Sequence, residues 1–276
     1  MAVAMCARFL LVITPVLALH AAGPAKWTIA DQERFLRTAR ILSVEYAGKG
    51  INDSKKAVLT DGRRKHLAHI QFIDIYKAVF KGQDGSEEQD FKDTWKFNVA
   101  AYRLARLLGL AEMVPPSVQR TVDGKPASVT WWLDGILMDE KERLAKEIRP
   151  PDVPAWNAQM DSIRVFDQLI YNMDRSQENL LIGKDWKAYM IDHTRAFRKW
   201  PKLRDPKAIT QCSPQLFKTL KALTREGVAR ELAPYLTDEE IDGLMARRDL
   251  IVEALGRGGP ESETVSLPAK ATGVRK

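Results

Sequence analysis

Cysteine is nearly absent from this sequence. There are 2 in 276 residues, and Cys6 lies in an N-terminal apolar segment, which leaves Cys212 alone in the rest of the chain. A single thiol cannot form an internal disulfide, so a disulfide framework is excluded and stability must come from a packed core. With no histidine placed to pair with it, Cys212 reads as a small half-buried hydrophobe rather than a catalytic thiol. Histidine is scarce too, 4 in all, and His66, His69 and His193 show no zinc-ligand spacing. There is no internal repeat and no block of like charge. The net charge of +7, from 43 Lys+Arg against 36 Asp+Glu, is spread along the chain. Basic residues interleaved with aromatics are missing, which argues against a nucleic-acid partner while leaving room for an anionic ligand. Also missing is an apolar run of the ~20 residues that a spanning helix requires.

The longest apolar run, 9–19, follows Arg8 and precedes His20-Ala21-Ala22-Gly23. This is the layout of a cleavable secretory signal over 1–22, with an uncleaved anchor or a buried helix as the other reading. It predicts an exported protein, periplasmic or extracellular, with no transmembrane span after cleavage. At the other end 257–276 is rich in Gly, Pro, Ser and Lys, poor in apolar residues, and predicted to be disordered.

The densest information lies in 165–197, VFDQLIYNMDRSQENLLIGKDWKAYMIDHTRAF. A helix with apolar residues at Ile163, Phe166, Leu169 and Ile170 runs into Asn172-Met173-Asp174. A polar loop leads to Asn179, the strand 180–182, a Gly-Lys-Asp turn, a second strand over 186–191, and Asp192. A hairpin between Asn179 and Asp192 brings both to one side of a cleft. The plain alternative is a helix, a surface turn and a hairpin whose polar residues are only solvated.

Asp, four residues, Asn, then an acidic residue after the next hairpin resembles the catalytic loop of protein kinases. NMDRSQEN followed by YMIDHTRAF resembles, more narrowly, the atypical kinases: HipA-like kinases, phosphatidylinositol kinases and the secreted kinases of the eukaryotic secretory pathway. KFNVAAYRLARLLGL, SVTWWLDG and RVFDQLIYNMDR resemble uncharacterised exported bacterial members of that group, over about 39–200. Those families often carry a His after the Arg, where this chain has Ser176.

The resemblance implies an α+β, protein-kinase-like two-lobed fold: a small β-rich N-lobe over 23–135 and a mainly helical C-lobe with the catalytic loop over 136–256. It implies ATP and Mg²⁺ or Mn²⁺ as cofactors, with a protein or small-molecule hydroxyl as acceptor. Asp174 would orient or deprotonate the acceptor. Asn179 and Asp192 would hold metal against the phosphates. A pseudokinase that binds nucleotide or a partner, and a nucleotidyl transferase on the same fold, are the alternatives.

The nucleotide-binding half departs from the pattern. A helix is predicted over 31–43 with Asp31 as N-cap, then strands over 41–46 and 56–59. Gly48-Lys49-Gly50 between them would place Gly48 and Gly50 over phosphates, or form an ordinary hairpin turn. The strand 67–74 carries Gln71 where the resemblance implies a lysine. Lys77 and Lys81 are the nearest cationic substitutes if 76–80 is extended, and are otherwise solvent-exposed. In the helix 93–110, Asn98 occupies the position of the acidic residue that would pair that lysine. Two amides can hydrogen-bond across a gap where one lost partner would strand a buried charge. A hairpin turns at Asp123-Gly124. Trp131 and Trp132 precede Asp134-Gly135 like the inter-lobe hinge; Trp132 would meet the nucleotide base, and at least one of the pair is expected to be core packing. A charged helix over 139–148, a proline break over 150–154, and helices over 215–224, 226–235 and 238–255 complete the chain.

Overall fold

A computed structural model describes residues 27–46, 54–82 and 85–257. The predicted signal segment, Gly48 and Gly50, and all but the first residue of the predicted disordered tail lie outside the described residues. The architecture is α+β, β-rich toward the N-terminus and mainly helical toward the C-terminus.

The first helix, α1 (Ile29–Thr38), begins one turn earlier than predicted. Thr28 is its N-cap, accepting from the Asp31 amide at 3.1 Å, while the Asp31 carboxylate accepts in return from the Thr28 amide at 3.3 Å. Asp31 is therefore the third residue of a capping box and not the cap itself. α1 ends before β1 (Arg40–Tyr46), whose residues pair with β2 (Ser54–Thr60). Together with β3 (Lys65–Gln71), β6 (Ser117–Val122) and β7 (Lys125–Trp131) these strands make a five-stranded antiparallel sheet, ordered β1-β2-β3-β7-β6. The β6–β7 turn falls at Asp123 and Gly124, with φ of 51° and 77°, the left-handed pair that a tight hairpin needs. Leu59, Ala68, Ile70, Val118 and Val129 bury one face of the sheet with Phe35 and Leu36 of α1.

Between β3 and the next helix the sequence predicts no separate element beyond an optional extended 76–80. The structure has a two-stranded ribbon here, β4 (Asp74–Lys81) and β5 (Glu87–Thr94). The helix predicted from residue 93 consequently starts later, as α2 (Lys96–Leu107), and ends at Gly109 with φ 75°, a position that suits glycine.

After the sheet come β8 (Ile136–Asp139) and α3 (Glu140–Ala145). Next is α4 (Val153–Leu169), capped by Asp152 with Pro154 in its first turn. A single 3-10 turn over Gln177–Asn179 leads to β9 (Leu180–Gly183) and β10 (Ala188–Met190), which join β8 in a three-stranded sheet ordered β10-β9-β8. Three helices follow near their predicted positions: α5 (Pro214–Ala222), α6 (Arg225–Leu232) and α7 (Asp238–Arg257). Their buried Leu, Ile and Val side chains form the larger core with α4. Although α2 lies between strands of the first half in sequence, its Phe97, Ala101, Leu104 and Leu108 belong to this larger core. No helix among the described residues is long and apolar enough to cross a membrane.

Candidate functional site

The loop after α4 is held by its own polar side chains. Tyr171 takes a left-handed φ of 49°, the Asn172 side-chain oxygen accepts from the Asp174 amide at 3.1 Å, and Ser176 Oγ accepts from the Asn179 amide at 3.2 Å. Asn179 Nδ2 donates to the Asp174 carbonyl at 3.1 Å. That contact commits the amide nitrogen and leaves the amide oxygen as the group able to ligate.

Arg175 ties this loop to the far side of the hairpin. Its Nε and Nη2 meet the two oxygens of Asp167 at 3.0 and 3.1 Å. Nη1 donates to the carbonyls of Asn179 and Ile191, both at 2.9 Å, and Nη2 lies 3.0 Å from His193 Nε2. Burial, and secondarily the Arg175 charge, hold the His193 imidazolium form well below its usual range, so the neutral ring accepts from the guanidinium.

Asp192 sits at φ 52°, a left-handed backbone conformation that Asp tolerates better than most residues other than glycine. Its Oδ1 accepts from the Thr194 hydroxyl at 3.2 Å. Burial pushes its carboxyl pKa up and the Asp174 charge adds to this, while Thr194 opposes it. Asp174 is more exposed, 3.9 Å from Arg195 Nη1.

Asp174, Asn179 and Asp192 line one cleft of about 1080 Å³. Gln71 and Asn98 also line it and bond to each other: Asn98 Nδ2 donates to Gln71 Oε1 at 2.7 Å, and Asn98 Oδ1 accepts from the His193 amide at 2.8 Å. Both amides are buried, at 2% and 6% exposure, so each buried polar group needs the partner it has. The chain of contacts links the sheet through β3, α2, and the residue after Asp192.

Of the two substitute lysines, Lys77 lines the cleft. Lys81 lies outside that lining, exposed, in an ion pair with Glu87 at 3.1 Å. Trp132 lines the cleft with the Lys56 ammonium 4.8 Å from its ring centre. Trp131 is the packing member of the pair, stacked on His66 at 3.6 Å and edge-on to Trp27 at 5.0 Å. His69, also lining the cleft, is held neutral by burial with its pKa lowered to about 4.

Three site residues escape the sequence patterns: Asp93, Glu88 and Arg195. Glu88 accepts from Arg195 Nη2 at 2.7 Å and also from Arg198. Asp93 is 6% exposed, lines the cleft, and its Oδ1 has no hydrogen-bond partner. Burial pushes its carboxyl pKa up, with Asp192 and Asp174 adding to the effect and Thr194 and Arg195 opposing it. The one sequence signal is alternation: Phe91 and Asp93 sit two apart in an otherwise charged stretch.

The donor set fits a divalent cation that takes part of its coordination from a bound polyphosphate. Among the described residues no cluster of three His, Cys, Asp or Glu is arranged to hold a metal unaided. Mg²⁺ commonly takes only one or two carboxylates, filling its sphere with substrate phosphates and water. Carboxylates whose charged form burial disfavours, one with a bare oxygen, are what such a cation would relieve.

No family model and no curated protein matches the sequence. Among solved structures that match is the Helicobacter pylori proinflammatory kinase CtkA, 10% identical, covering 80% of this chain and 94% of that chain, with a TM-score of 0.47.

Proposed function

We propose that the cleft binds ATP with Mg²⁺ or Mn²⁺ and transfers its terminal phosphoryl group to a hydroxyl of a protein or small molecule. The observation that carries the reading is the convergence of Asp174, Asn179 and Asp192 on a single cleft. Phosphoryl transfer asks little covalent help from a protein beyond positioning and charge stabilisation. Asp174, exposed at the cleft with Arg195 Nη1 3.9 Å away, accepts the acceptor hydroxyl's proton as the new oxygen–phosphorus bond forms and ADP departs. Asn179 and Asp192 hold the metal, which supplies charge neutralisation for the phosphates. Lys77 is the cation that the ribbon contributes where β3 carries Gln71, and Trp132 offers a flat apolar surface to the base.

A second reading is favoured by one feature. The Gln71–Asn98 pair is neutral and cannot hold phosphates as a lysine does, which suits a nucleotide- or partner-binding module without transfer. The signal-like segment adds that the protein works outside the cytoplasm; mature protein from the native host is expected to begin near residues 22–24, and an intact Met1 in a cytoplasmic fraction would contradict this.

The test is the melting temperature with ATP, with and without Mg²⁺ or Mn²⁺, because a ligand of the native state raises it in step with RT ln(1 + [L]/Kd). A metal-dependent rise is expected, and no rise at millimolar nucleotide with either metal removes the nucleotide reading. Asp174→Ala then separates the two classes: in an enzyme it keeps nucleotide binding and loses turnover by roughly 10²–10⁴-fold. Wild type that binds ATP but transfers nothing to a broad acceptor panel is the binding module.

A further inference from the structure

We propose that Asp93, carried into the cleft by the β4–β5 ribbon, is a further ligand for the divalent cation, shared with Asp192. This rests on the metal-nucleotide reading of the cleft and adds a residue from outside the 174–192 loop.

The argument begins with an oxygen that has nothing to bind. Asp93 is 6% exposed, it lines the cleft, and its Oδ1 lacks a hydrogen-bond partner among the described residues. A buried carboxylate oxygen without donor or cation is strongly unfavourable. Thr194 and Arg195 ease the carboxylate in part, but neither hydrogen-bonds this oxygen. The Thr194 hydroxyl reaches toward both Asp93 and Asp192, but it has one proton, and that is donated to Asp192 at 3.2 Å. Arg195, the nearby guanidinium, gives Nη2 to Glu88 at 2.7 Å, and although its buried Nε has no hydrogen-bond partner either, it does not bond to Asp93 Oδ1.

The ribbon fixes where this oxygen sits. In its register Asp93 stands opposite Ile75 and Phe91 opposite Lys77. All four line the cleft, as residues two apart on one strand and their cross-strand partners share a face. The Thr94 amide donates to the Thr194 carbonyl at 3.0 Å, which seats the end of β5 against the segment that follows Asp192. Two carboxylates with a shared hydroxyl neighbour, an amide oxygen from Asn179 and the phosphates of a nucleotide form an all-oxygen set. That set selects a hard divalent cation, Mg²⁺ or Mn²⁺, over thiolate- or imidazole-seeking metals.

The test is a Mn²⁺ titration of the full chain read by the electron paramagnetic resonance signal of free Mn²⁺, with and without a non-hydrolysable ATP analogue. Melting curves of the metal-free proteins accompany it. Asp93→Asn is expected to weaken Mn²⁺ at least about tenfold while the metal-free protein melts no lower than wild type, because an unpaired buried charge has been removed. Asp93→Glu, which keeps the carboxylate, is expected to bind Mn²⁺ more tightly than Asp93→Asn. Wild-type Mn²⁺ affinity in Asp93→Asn, with loss of binding in Asp192→Asn, overturns the role of Asp93 and leaves the nucleotide reading standing. No Mn²⁺ binding by wild type in either condition fails that underlying reading instead.

Discussion

Arg175 spends every hydrogen-bonding edge of its guanidinium on the loop and hairpin around the cleft without lining the cleft itself. Its bonds to the Asn179 and Ile191 carbonyls, both 2.9 Å, set the separation of the two residues proposed to hold metal, because Ile191 precedes Asp192. Asp167 anchors the fork at 13% side-chain exposure. Removing one partner of such a pair strands the other, so Arg175→Met is expected to cost about 3–5 kcal/mol in urea unfolding. Arg175→Lys recovers only part of this, since an ammonium cannot reproduce a planar fork. A Met variant within roughly 1 kcal/mol of wild type would show that the network is not coupled as described.

Asp192 makes a pH-dependent prediction at the same scale. Burial raises its folded pKa above the ~3.9 of an unfolded aspartate. The neutral carboxyl is therefore the form the fold favours. Stability linked to it is present below the unfolded pKa and is lost as pH rises through the folded one. Without metal, Asp192→Asn is expected to melt about 2–4 °C above wild type at pH 7, with the gap closing as pH falls toward ~4. A gap that does not vary with pH in metal-free melting scans would contradict the assignment.

Among the elements, the Asp174–Asp192 hairpin and the β4–β5 ribbon differ in how readable they are. The loop from Asp174 to Asp192 closes within itself, with Asn179 donating to a carbonyl only 5 residues away, so its chemistry is visible as spacing. The ribbon closes at long range. Glu88 meets Arg195 across 107 residues of sequence, and no local pattern announces that contact. β5 reads EEQDFKDT, composed mostly of residues disfavoured in strands, and is extended because β4 and the Arg195–Arg198 segment hold it there. This is also why helix α2 is predicted to begin at residue 93: acidic residues ahead of an apolar periodicity mimic a helix start. Glu88→Gln is expected to cost about 1–3 kcal/mol and to speed amide exchange over 74–94 while α5, α6 and α7 keep wild-type protection. Uniform acceleration across the chain would mean that Glu88 is a global determinant and not a local latch.

For the whole molecule, the joint between the two hydrophobic cores was legible in part. Gln71 and Asn98 stand out because the resemblance pairs those two positions, and two amides in place of two charges predict a mutual hydrogen bond, which is present at 2.7 Å. The third participant, the His193 amide 2.8 Å from Asn98 Oδ1, carries no side-chain signature and is hidden from sequence. Equally hidden is the packing of α2 into the larger core, which makes Asn98 a bridge from that core to the sheet. Gln71→Lys is expected to destabilise the chain by about 3–5 kcal/mol through an unpartnered buried ammonium. Adding Asn98→Glu should recover much of the loss and tighten ATP binding relative to Gln71→Lys alone, as read by denaturation and nucleotide titration. If the two substitutions are additive, the residues do not act as a pair.

The amide bridge has a further consequence, one of ionic strength. Gln71, Asn98 and a backbone amide carry no net charge, and the adjacent His193 ring is held neutral by burial. The bridge itself gives mobile ions nothing to screen and the neighbouring Arg175–Asp167 pair is largely buried, so the alignment of sheet, α2 and the segment after Asp192 should be the same in dilute buffer and in brine. The Glu88 latch is ionic and partly accessible through Arg195, so the ribbon should loosen as the Debye length contracts from ~10 Å at 0.1 M to ~3 Å at 1 M. Salt thus acts on the ribbon that delivers Lys77 and Asp93 while sparing the frame onto which it closes.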